Sequence, residues 1–226
     1  MVYPYSHDID LCLCINKTGE MQPFINTIKE NCHSIYNDII TVLAERGKNL
    51  DHFRIRVIWF GDYLADKNPM ILLPFMTLPD EMDQFEKTIK GVYALGGGDE
   101  PEDALEALAF AIRSNWCNDG VRRRHIIAVF TDASTHELGY GKESEKYPKT
   151  DMPKDFKELS QMWGDEDDPR VMDYRAKRLL LFAPDTTFWH TISNCWENAV
   201  ISSVERGMCL GDVTYKDIID KIVACI

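Results

Sequence analysis

Four short, unbroken apolar runs constrain this chain more than anything else in it: residues 11–15, 57–60, 126–130 and 179–183. The second ends a strand, 53–60, that alternates at first, and the others are solid throughout. Strands of this kind are covered on both sides, the condition of a parallel sheet with helices packed on either face. The intervening segments suit crossover helices. Residues 22–46 carry Ile28, Cys32, Ile35, Ile39 and Val42 or Leu43 at steps of three and four, which predicts one helix with a single buried stripe. Pro23 suits its first turn, and Gly47 its end. Further helices are expected over 81–90, from about Glu100 to Trp116, over 155–163, around 188–195 and over 212–226. Thr214 and Asp217 at the head of the last have the spacing of a capping box. Residues 199–204 read as a final edge strand. Only about nine residues separate Phe60 from Met70, too few for a crossover, so 70–76 is expected to return antiparallel. The fold class that follows is α/β, a three-layer doubly wound sheet, mostly parallel with one antiparallel edge strand.

At 226 residues the chain is expected to be one domain, 1–226. Its net charge of −12 opposes a grip on nucleic acid, which needs clustered Lys and Arg. Arg122-Arg123-Arg124 reads as a solvated turn before a strand. No run approaches the ~18 apolar residues of a membrane span. The first residues lack both the basic and the apolar parts of an export signal. Seven cysteines without Cys-x-x-Cys spacing point to reduced thiols packed as small hydrophobes, and so to the cytoplasm. Residues 133–177 form a long polar stretch, expected to overhang the site.

In an open α/β sheet, ligands sit outside the carboxyl ends of the strands, where strand order reverses. Three polar clusters fall at such ends: Asn16, Thr18 and Glu20; Gly96 to Asp99; and Thr131-Asp132. Taken together they resemble the von Willebrand factor A domain and its metal-ion-dependent adhesion site. The family's pattern is Asp-x-Ser-x-Ser after the first strand, a Thr or Asp in a glycine-rich loop, and a later Thr-Asp. The resemblance implies metal ligands at Asn16, Thr18, Glu20, Asp99 and Asp132. The ion would be Mg²⁺, or Mn²⁺ or Ca²⁺, with one position open for an acidic group on a partner protein. Asn16 stands where the family has a carboxylate, and Glu20 where it has a hydroxyl, departures that could leave the site without metal. Lys17 and His136 are the expected partner-binding residues.

By the same resemblance, bacterial cytoplasmic members act as adaptors beside AAA+ ATPases or in kinase–phosphatase systems. The expected function is therefore an interaction module rather than an enzyme. Two alternatives stay open. One is a metal-dependent phosphoester hydrolase using Glu20, Asp99 and Asp132, with His136 as acid or base. The other is a degenerate domain that binds its partner without metal. Read singly, Asn16 could serve only the turn backbone, Glu20 the helix dipole, and Asp99 with Glu102 a helix cap.

Overall fold

The computed structural model describes residues 6–94, 100–164, 172–205, 210–211 and 213–226. Among them is a seven-stranded sheet: β1 (Ser6–Asn16), β2 (Asn49–Phe60), β3 (Met70–Leu72), β4 (Met76–Leu78), β5 (Arg123–Phe130), β6 (Lys177–Pro184) and β7 (Ala199–Val204). The order is β3-β2-β1-β5-β6-β7, with β4 also pairing β2. Strands β2, β1, β5, β6 and β7 run parallel. The chain winds outward from β1 to β2 and later returns to β1's other side with β5. The reversal of strand order therefore lies between β1 and β5.

The antiparallel edge is in two pieces. β4 pairs with Phe53 to Ile55 of β2, and β3 pairs with Ile58 to Phe60. Pro74 lies between the two pieces, and a proline without an N–H interrupts a ladder. The helix expected over 22–46 is also two: α1 (Gln22–Asn31) and α2 (Ile35–Glu45). Polar side chains at the break compete for the backbone. Asn31 Nδ2 donates to Thr27 O at 2.8 Å, and Ser34 Oγ donates to Asn31 O at 3.2 Å.

The remaining helices are α3 (Met82–Lys90), α4 (Ala104–Ile112), α5 (Phe156–Gly164), α6 (Thr187–Cys195) and α7 (Tyr215–Ala224). At the head of α7 the capping box forms as its spacing suggests. One apolar core lies between the sheet and α1, α2, α3 and α7, and takes Ile9, Leu11, Leu13 and Ile15 from β1. The other lies beneath α4, α5 and α6, and takes Cys12 and Cys14. The period-two alternation of a strand sorts these residues to opposite faces. Burial raises the Cys14 thiol well above its ordinary range, so it packs as an uncharged group. Helix α4 is nearly all buried, and its alanines let it lie close to the sheet. Helix α5, from within the long 133–177 stretch, buries Leu159, Met162 and Trp163 against the same core.

Candidate functional site

Four backbone segments meet at the carboxyl ends of the central strands. Lys17 N donates to Phe60 O at 2.8 Å, which ties the ends of β1 and β2, and Thr131 N donates to Phe182 O at 3.0 Å, which ties those of β5 and β6; β1 and β5 pair as far as Ile15 and Phe130. Asp103 N donates to Gly61 O, Glu102 N to Ser134 O, and His136 N to Glu102 O. These bonds stitch the 61–66 turn and the approach to α4 onto the segment after β5. The region lies at the reversal of strand order, where open sheets place ligands.

Asn16 is wholly buried, and its amide is bonded on both sides. Its Oδ1 accepts from Thr18 N at 3.0 Å, and its Nδ2 donates to Thr131 Oγ1 at 3.3 Å. Asn16 therefore does serve the turn backbone, and it also joins the two motif segments across the strands. Thr131 Oγ1 in turn accepts from Ala133 N at 3.1 Å. Thr18 and Asp132 are buried beside this pair. Glu20 is exposed, in the short 3₁₀ turn Gly19–Met21. Asp99 lies outside the described residues, as do Gly96 to Gly98.

In kind, these donors suit a hard cation. The Asn16 carbonyl, the Thr18 hydroxyl and the Asp132 carboxylate all present oxygen, and Mg²⁺ takes oxygen ligands while keeping several waters. Among the described residues, no three His, Cys, Asp or Glu side chains are placed to hold a metal ion. Of the expected ligands, Asn16, Thr18 and Asp132 are buried and Glu20 is exposed.

Lys17 and His136 are turned into the protein. Lys17 is 3% exposed, and its Nζ pairs with Asp66 Oδ2 at 3.4 Å. His136 Nε2 meets Asp62 Oδ2 at 3.0 Å, and its ring stacks on Tyr140 with centroids 3.9 Å apart. Asp62 Oδ1 also accepts from Leu64 N and Ala65 N, and Asp66 Oδ2 accepts from Asp62 N. The two aspartates thus shape the turn after β2.

Helix α4 starts at Ala104, with Asp103 rather than Asp99 in the capping position. The Asp103 side chain caps nothing, and its Oδ2 accepts from Tyr63 N at 2.6 Å. Asp62, Asp66, Asp103 and Glu106 are buried polar residues that the pattern of motifs did not single out. The only hints were acids in the turn after a strand and at a helix start, positions where exposed acids are also common.

A family model described as a von Willebrand factor A domain matches residues 10–143, more than half of the chain. No curated protein matches the sequence. Among solved structures, the pilus adhesin SpaC from Lactobacillus rhamnosus GG is similar at 8% identity, with a TM-score of 0.58 in one form and 0.52 in the open conformation. In both comparisons the likeness covers 98% of this chain and 30% of the adhesin. Proximal thread matrix protein 1 from the mussel byssus is similar at 13% identity and a TM-score of 0.46, over 97% of this chain and 46% of that one. This chain thus spans about a third of the adhesin's length.

The cytoplasmic placement expected from the cysteines is overturned, because the fold recurs in a pilus adhesin. Cys12, Cys14 and Cys32 give no address either: a cysteine buried in apolar surroundings is inert whatever the compartment. Strand order, the tied strand ends and the family match agree, and the chain belongs to the von Willebrand factor A domain family.

Proposed function

We propose that this domain is a protein–protein interaction module whose binding face is the edge built from residues 16–20, 61–66, 100–102 and 131–136. The observation that carries this reading is the Asn16–Thr131 hydrogen bond, which joins the first and last motif segments where strand order reverses. On this reading Thr18, Asp132 and the Asn16 carbonyl oxygen hold a divalent cation, Mg²⁺ before Mn²⁺ or Ca²⁺. Asp99 is the expected loop ligand. Such an ion would supply an electrophilic centre with one position open to a carboxylate of the partner. Glu20, exposed at the rim, competes for that position or steers the partner. Lys17, paired with Asp66, holds the turn that frames the face rather than touching the partner.

Calorimetric titration of Mg²⁺ and Mn²⁺ into chelator-treated protein tests the reading, with Asp132→Ala as control. Heat in the native protein and its loss in the variant are expected. Absence of heat and of any thermal shift in the native protein would sink the metal-dependent form.

A metal-free interaction face is the second reading, and it is favoured by the Asn16 amide already being bonded at both ends. Phosphoester hydrolysis draws less support, because His136, its expected acid or base, is held by Asp62.

A further inference from the structure

Beneath the binding face, Asp103 and Glu106 sit three residues apart at the start of α4, a spacing that puts them on one side of the helix. Both are 0% exposed. Each spends one oxygen on a neighbouring segment. Asp103 Oδ2 accepts from Tyr63 N, while Glu106 Oε1 accepts from Gly139 N at 2.7 Å and from the Tyr147 hydroxyl at 3.1 Å. Gly139 adopts φ +87°, a left-handed conformation that suits glycine and turns its N–H onto the carboxylate. The rings of Tyr63 and Tyr147 pack with centroids 5.0 Å apart. The other two oxygens, Asp103 Oδ1 and Glu106 Oε2, are buried and have no hydrogen-bond partner among the described residues.

We propose that Asp103 and Glu106 hold one proton between them, and that this proton latches the segment 139–147 onto α4. An unpaired carboxylate oxygen is costly to bury, and two ionised carboxylates on one buried helix turn are costlier. A proton on either free oxygen removes one of the two charges. The groups facing the pair come from each surrounding segment: Asp62 and Tyr63 from the turn after β2, His136 from the segment after β5, and Lys142 and Tyr147 from the latched segment. Asp62 and the pair itself favour protonation, whereas the bonds donated by Tyr63 N, Gly139 N and the Tyr147 hydroxyl, and then His136 and Lys142, favour the charged form. Burial is the largest influence on both carboxyls and outweighs the opposition. Loss of the proton leaves two buried charges, and lifting the segment into water relieves them. The latch stands on its own, whether or not the face binds a metal.

Hydrogen exchange of the full chain, followed by mass spectrometry from about pH 5 to about pH 9 and corrected for intrinsic exchange, tests the latch. Protection of peptides spanning 139–147 should fall about tenfold as the proton leaves, relative to peptides of β1 and β5. Each of Asp103→Asn and Glu106→Gln should shrink the fall, and the double variant should abolish it. Infrared spectroscopy of the native protein gives a second readout that needs no variant: the carbonyl band of a buried protonated carboxyl at about pH 6, fading as pH rises. Flat native protection, a pH dependence that survives both substitutions, or absence of the carbonyl band overturns the proposal.

Discussion

Asn16 and Thr131 lie on adjacent strand ends, and the amide of one donates to the hydroxyl of the other at 3.3 Å. That bond places a neutral amide where the family pattern has a carboxylate. Its partner is a threonine that also accepts from Ala133 N. An aspartate at position 16 would offer only acceptors, so the Thr131 hydroxyl would have to turn and donate.

Asn16→Asp tests whether the neutral amide weakens the site. The added charge beside Asp132 should tighten Mg²⁺ binding about tenfold or more by calorimetry. In chelator the same variant should be less stable than the native protein, since two close carboxylates then repel. Unchanged affinity would show that position 16 does not reach the ion.

Asn16→Ala removes both hydrogen bonds at a wholly buried position and orphans the Thr18 amide. A loss of about 2 kcal/mol in the unfolding free energy is expected from denaturant titration. A variant as stable as the native protein would mean that water replaces the amide.

Lys17→Met probes the buried pair with Asp66, whose side chains are 4% and 7% exposed. Removing one partner leaves a buried charge, at a cost of about 3 kcal/mol. Asp66→Asn in the same background should recover part of that loss, as a double-mutant cycle would reveal.

Asp103→Asn should change stability in a pH-dependent way. Burial, with Glu106 and Asp62 nearby, pushes the Asp103 carboxyl up to about 7 from an ordinary 3.8. A raised folded value means that the stabilising share of this group is complete below the unfolded value. It is lost as pH rises through the folded value. Asparagine stands permanently in the neutral form. The variant should therefore gain on the native protein between about pH 4 and about pH 7, by about 4 kcal/mol, and hold that gain at higher pH. Denaturant midpoints across this range check both the sign and the window.

At the far end of the sheet, Arg54 grips Asp10 through two bonds of 2.7 and 2.5 Å, and Cys117 N donates to the same carboxylate at 2.6 Å. Arg54→Ala should cost about 3 kcal/mol, because Asp10 is 3% exposed. Metal binding should stay at the native level in the folded fraction. A parallel loss of metal binding would tie the two ends of the sheet together.

The layering was legible in the residues themselves. Solid apolar runs at 11–15, 126–130 and 179–183 have to be covered on both faces, whatever the loops do, and they became the central strands. The clusters at Asn16–Thr18 and Thr131-Asp132 were legible because a strand end is a fixed address in such a sheet. Where local competition decided the outcome, periodicity failed. Asn31 and Ser34 broke one expected helix, and Pro74 lay at the break in one expected strand.

Tertiary structure alone decided which side chains the site could use. Lys17 and His136 have the polarity of surface residues, yet Asp66 and Asp62, from a different strand end, draw them inward. Nothing in the local sequence marks Asp103 and Glu106 as buried; the turn after β2 holds the first and the segment after β5 holds the second. Apolar patterning is a property of consecutive residues and survives in the sequence. The partner of a charged group is set by segments far apart along the chain, and only the folded protein brings them together.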